Sequence, residues 1–88
     1  MKPYDIEFKP SVEKDLKGLP KTPINRLTEK IERLKSDPFP RGVIKFSVAE
    51  QLYRIPVSEY RIVYEVDTDE RIIIIHHIGH RREVYRKL

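Results

Sequence analysis

The residues best suited to chemistry crowd the end of the chain. Residues 71–88 carry Arg71, Arg81, Arg82, Arg86 and Lys87 against one acid, Glu83, beside Tyr85 and three histidines, His76, His77 and His80. The first 70 residues hold thirteen basic and thirteen acidic side chains, so the whole formal net charge of +4 sits in this segment. A cationic end on a neutral body suits an anionic partner such as a nucleic acid, with a solvated basic tail as the plainer reading. Helical spacing would set Arg81 four residues and Arg82 three residues before Tyr85. Positive charge around a phenol favours its ionised form, whereas a tyrosine that only packs its ring on the sheet needs no such role. Glu83 and Lys87, four apart in the favourable order, read as a structural pair.

Two further arginines, Arg54 and Arg61, lie in the segments Leu52–Val57 and Tyr60–Val66, which are rich in Ile, Val and Tyr and read as strands. If Ser58-Glu59 is a two-residue hairpin loop, Val57 pairs with Tyr60, Pro56 with Arg61, Ile55 with Ile62 and Arg54 with Val63. Opposed residues share a face. Tyr53, Ile55, Val57, Tyr60, Ile62, Tyr64 and Val66 then form a core face, and Arg54, Pro56, Arg61, Val63 and Glu65 the opposite one. The two arginines either bind something there or extend over the sheet toward Glu65 or Glu50.

These strands need a scaffold, and the rest of the chain supplies its signals. Tyr4, Ile6 and Phe8 alternate with charged residues, as in a half-buried strand. Ser11 is expected to cap a helix carrying Val12, Leu16 and Leu19 on one stripe, ended by Gly18–Pro20. Thr22-Pro23 is expected to open a second helix with the stripe Ile24, Leu27, Ile31 and Leu34, ended by Asp37-Pro38-Phe39-Pro40. Further strands are expected over Val43–Val48 and Arg71–Ile78, with Gly79 closing the last and a short helix over His80–Leu88. Ile72–Ile75, apolar at four consecutive positions, reads as a central strand covered on both faces, the final helix being the nearest cover. The order β-α-α-β-β-β-β-α describes an α+β fold: an antiparallel-rich twisted sheet with an α-hairpin on one face and a short terminal helix.

Length and composition exclude other classes. Eighty-eight residues fit one domain, 1–88, with too few to wall a large cofactor cleft. Without cysteine there is neither a disulfide scaffold nor a Cys-based zinc module. His77 and His80 fall short of the three or four convergent ligands of a zinc site, and no metal or cofactor is expected. The amino terminus lacks the apolar run of a signal peptide, and no segment is long enough to span a bilayer, so a cytoplasmic protein without membrane partners is expected.

At Tyr53-Arg54-Ile55, Tyr60-Arg61-Ile62-Val63-Tyr64-Glu65-Val66 and Ile78-Gly79-His80-Arg81-Arg82-Glu83-Val84-Tyr85, the chain resembles the RelE/ParE toxin superfamily, on the RelE side. The resemblance implies the toxin of a toxin–antitoxin pair, an endoribonuclease that cuts mRNA in the ribosomal A site without a metal. It also implies a RelB-like antitoxin and, through that complex, indirect contact with operator DNA. The matching site positions are Arg54, Arg61, Arg81 (with Arg82 as its ambiguous neighbour) and Tyr85. Lys45, His80, Arg82 and Arg86 are expected to support RNA binding. Pro56 occupies a place that is often basic in the family, with Lys45 or His80 as possible compensation. The implied reaction is attack of an RNA 2′-hydroxyl on the adjacent phosphate. Arginines would stabilise its charge, and Tyr85 or His80 would transfer a proton or, for Tyr85, stack on a base. A ParE-like toxin that binds DNA gyrase without cleaving anything is the competing reading.

Overall fold

The computed structural model describes residues 2–87, Lys87 through its backbone alone. Its elements are β1 (Asp5–Phe8), α1 (Pro10–Lys17), α2 (Lys21–Leu34), β2 (Ile44–Ser47), β3 (Leu52–Val57), β4 (Tyr60–Asp67), β5 (Ile72–His80) and a final 3₁₀ turn, Val84–Lys87. The strands make one sheet in the order β1-β5-β4-β3-β2, with β1 parallel to β5 and the other neighbours antiparallel. This is the expected α+β architecture.

The helix starts differ from the expectation. Lys9 flanks α1 and Pro10 stands in its first turn, while the Ser11 hydroxyl donates to the His76 carbonyl at 2.8 Å instead of capping the helix. α2 opens after Pro20, so Thr22 and Pro23 lie inside its first turn. Proline is tolerated there because the first N–H groups of a helix have no partner within it. Both apolar stripes face the sheet: Val12, Leu27, Ile31 and Leu34 pack with Ile55, Ile62, Tyr64, Val66, Ile73, Ile75 and Ile78.

The β3–β4 hairpin has the expected register, from Val57 opposite Tyr60 to Arg54 opposite Val63. Ser58 takes a positive φ of 58°, which lets a Ser-Glu pair close the two-residue loop. Pro56 is harmless to the sheet because β2 pairs with β3 only as far as Arg54, so among the described residues no strand wants its missing N–H.

A bulge in β5 decides the rest. Tyr64 pairs with Ile75, but Val63 pairs with His77, so His76 is skipped and parity reverses along the strand. The reversal brings Ile73, Ile75 and Ile78 all into the helix-side core, each fully buried. β1 pairs only with Ile72–Ile75, and beyond it α1 takes over the open edge of β5. There Asp15, the one buried charged residue among those described, accepts from the Ile78 N–H at 3.0 Å and lies 3.5 Å from His77 Nδ1.

The carboxyl end also departs from the expectation. β5 runs through Gly79 to His80, residues 81–83 form a turn, and only one 3₁₀ turn follows. It does not cover Ile72 and Ile74, which stay half-buried. Val84 sits instead over Gly79, a Cβ on which would stand 3.7 Å away, and buries Val63 and Leu52. The expected pairing of Glu83 with Lys87 falls on a side chain outside those described.

Candidate functional site

The sheet face opposite the helices carries the site, and cross-strand pairing fixes who stands on it. One row runs Ile44, Arg54, Val63 and His77 across β2, β3, β4 and β5, and the next runs Pro56, Arg61 and Gly79. Arg54 and Arg61 are therefore diagonal neighbours on one face. Val84 anchors the terminal segment over this face, and its neighbour Tyr85 arrives above Arg54.

The meeting of Arg54 and Tyr85 is the central contact. Arg54 Nη1 donates to the Tyr85 hydroxyl, and the guanidinium carbon lies 5.2 Å from the ring centroid. A hydroxyl that accepts from a guanidinium keeps its own proton to give elsewhere. On its ring, Tyr85 stacks with Phe46, centroids 5.9 Å apart and planes within 8°. Arg61 is held at the hairpin, its Nη1 donating to the carbonyls of Tyr60 (2.8 Å) and Ser58 (3.0 Å). The Arg81 N–H donates to the Glu59 carbonyl at 2.8 Å, which ties the turn after β5 to the same hairpin and brings Arg81 to the Arg61 end of the sheet. The side chains of Arg81, Arg82 and Arg86 are exposed.

Two expected helpers lie elsewhere. Lys45 pairs with Tyr53, a helix-side residue, and its ammonium sits 5.7 Å from that ring centroid, on the far side of the sheet from Arg54. His80 pairs with Tyr60, meets its ring edge-on at 5.8 Å, and accepts at Nδ1 from the Arg82 N–H. The β5 bulge is the cause, since without it His80 would share the face of Arg61. Neither residue replaces a cation at Pro56, which is exposed beside Arg61.

The three histidines meet three different carboxylates: His76 with Glu65 (3.0 Å), His77 with Asp15 (3.5 Å) and His80 with Glu59 (3.7 Å). Among the described residues no three His, Asp or Glu side chains are grouped as metal ligands would be. No helix among them is long and apolar enough to cross a membrane.

Phe46 and Asp15 escaped the sequence reading. Ile44, Phe46 and Val48 alternate along the β2 segment as a buried row would, yet they are 49%, 41% and 76% exposed. The signal for Asp15 was its place inside the Val12–Leu16–Leu19 stripe, where an acid is costly unless its bonds are supplied.

The geometry is a sheet bearing arginines on its uncovered face, with a tyrosine brought to them by the last turn. Residues 6–85 match the family model described as the ParE toxin of type II toxin–antitoxin system, parDE. The chain is also 34% identical to the RelE1 toxin of Methanocaldococcus jannaschii over 86 residues, 94% of this chain and 96% of that protein. Its fold is similar to the archaeal RelE–RelB complex from Pyrococcus horikoshii OT3, with TM-score 0.80, 31% identity and coverage of 90% of this chain and 96% of that one. The RelB–RelE antitoxin–toxin complex from Methanococcus jannaschii gives TM-score 0.74 at 28% identity, covering 93% and 98%. The chain belongs to the RelE/ParE superfamily of toxins of type II toxin–antitoxin systems. It is a toxin with a RelE-like fold.

Proposed function

We propose that this toxin is a ribosome-dependent endoribonuclease that cuts mRNA in the A site, residues 1–88 acting as one toxin domain in the cytoplasm. The observation that carries the reading is the contact between Arg54 and the Tyr85 hydroxyl on the same open face as Arg61. The substrate 2′-hydroxyl attacks the adjacent phosphorus, its proton passing to water. The phosphorus–oxygen bond to the next nucleotide breaks, leaving a cyclic 2′,3′-phosphate and a free 5′-hydroxyl. Arg54, Arg61 and Arg81 stabilise the charge that gathers on the phosphorane, a task for fixed planar donors rather than for proton transfer. Tyr85, its hydroxyl already accepting from Arg54, donates its proton toward the departing oxygen. No metal or cofactor is needed in this scheme.

A RelB-like antitoxin is the proposed partner, by analogy with the two archaeal complexes, and operator DNA would be reached through that antitoxin. One observation favours the gyrase-binding alternative: Pro56 stands exposed on the site face with neither Lys45 nor His80 beside it to restore a charge. Primer extension on translated mRNA after induction separates the two. Cleavage within codons is expected, reduced by Arg61→Ala, Arg81→Ala and Tyr85→Phe in proteins that still fold. Growth arrest with intact mRNA and a DNA-damage response would leave the gyrase reading standing.

A further inference from the structure

Phe46 has no part in the reaction just described, and its placement is hard to explain by stability. It is the extra residue of a bulge: Lys45 pairs with Tyr53 and Ser47 with Leu52, so Phe46 opposes nothing across the ladder. β2 is an edge strand, and its residues Ile44 and Phe46, with Val48 just beyond its end, are exposed apolar residues. One side of the Phe46 ring lies parallel to Tyr85. Water meets much of the remainder, since the residue is 41% exposed.

We infer that Phe46 is a stacking platform for a nucleobase of single-stranded RNA, paired with Tyr85 and flanking the phosphate held by Arg54. Unpaired nucleic acid is bound by aromatic faces beside a cationic track. Both are present: Ile44 pairs directly with Arg54, and the arginine touches the tyrosine on which Phe46 stacks. The arginines Arg54, Arg61, Arg81, Arg82 and Arg86 give the surroundings the charge an RNA backbone requires. The bulge aims Phe46 at Tyr85 without disturbing Lys45 and Ser47, whose pairing holds the strand in place. The inference deepens the nuclease reading and rests on it for the identity of the RNA.

The test compares Phe46→Ala, Phe46→Leu and Phe46→Trp in two measurements. The first is fluorescence of a short single-stranded RNA containing 2-aminopurine, titrated with purified toxin. Wild type and Phe46→Trp should quench the probe on binding. Phe46→Ala and Phe46→Leu should bind on the order of tenfold more weakly and lose most of the quench. Leucine keeps apolar cover on Tyr85 but offers no π-face, so a role limited to propping Tyr85 predicts that Phe46→Leu behaves as wild type. The second measurement is cleavage of mRNA on programmed ribosomes, where the same ranking is expected.

Unchanged probe binding in Phe46→Ala and Phe46→Leu would overturn the inference, even if Arg54→Ala abolished cleavage and the nuclease reading stood. Quenching that depends on Phe46, with no cleavage by wild type, would retain the stacking platform while the nuclease reading fell. Loss of binding to the antitoxin with RNA binding intact would assign this strip to a protein partner and overturn the inference.

Discussion

The two faces of the sheet are made from the same strands, taking alternate residues, and they are put to different uses. On the helix side, Ile55, Ile62, Tyr64, Val66, Ile73, Ile75 and Ile78 are packed against α1 and α2 with almost no exposure. On the other side the buried patch is small, Leu52, Val63 and Gly79 under Val84, and around it stand Arg54, held by one hydrogen bond, and Arg61, held by two. Dispersion and apolar burial hold the first face together. The second keeps its charged groups solvated, which adds little to stability, and leaves them available for the reaction proposed above. Stability thus comes from one face and the proposed chemistry from the other, and substitutions should divide in the same way.

The largest effect should come from the covered face. Ile73→Ala removes a fully buried side chain from a rigid layer and should cost about 2–5 kcal/mol in urea denaturation, a large part of the stability of a domain this small. Arg54→Ala should instead leave the unfolding free energy within about 1 kcal/mol of wild type. It should lower mRNA cleavage on the order of a hundredfold, as loss of a preorganised donor does. The division of labour would be wrong if Arg54→Ala unfolded the chain as readily as Ile73→Ala did.

A smaller effect is expected where the faces meet, at the edge of β5. The pairing of β1 with β5 ends at Ile75, and beyond it α1 takes the place of a strand through Ser11 and Asp15. Asp15→Ala would leave the Ile78 N–H without its acceptor and should cost about 1–3 kcal/mol, read as a shift in thermal midpoint. Asp15→Asn, which keeps an acceptor oxygen, should cost less. Equal losses from both variants would mean that the contribution of Asp15 lies in its charge rather than in its bond to the backbone.

How far these features could be read from the chain alone depends on whether their cause is local. The faces of Arg54 and Arg61 were legible because a two-residue loop fixes the pairing of β3 with β4, and parity follows. His80 was not legible. Its side is set by the bulge at His76, whose cause is the burial of Ile78 against the helices, a matter of packing that no spacing records. Lys45 fails for a similar reason, since its face depends on how β2 registers against β3 across the Val48–Gln51 turn. Phe46 was hidden by a misleading pattern: Ile44, Phe46 and Val48 alternate like a core row, but they lie along an edge strand and stay exposed, Phe46 even with Tyr85 stacked on it. The start of α1 departs from its local signal because the helix opens at Pro10, which puts Ser11 inside it, where its hydroxyl donates to the distant His76 carbonyl.

Tyr64 offers the finest probe of the covered face, because it carries a polar group into that layer on a fully buried side chain. Its hydroxyl donates to the Pro38 carbonyl at 2.7 Å, tying the segment after α2 to the sheet. Burial first, then the nearby Asp37 and Tyr53, push its ionisation well above the ordinary phenol range. In the unfolded chain the same phenol ionises near pH 10. The folded state therefore holds this proton where the unfolded state has lost it. The stability so contributed is complete below about pH 10 and falls as pH rises beyond it. Tyr64→Phe loses one hydrogen bond, so at neutral pH it should cost about 1 kcal/mol. From pH 9 to 11 its stability should decline less steeply than that of wild type, the gap between the two narrowing as alkali is added. Parallel curves across that range would show that the Tyr64 hydroxyl reaches water in the folded protein and that the covered face is less closed than its packing implies.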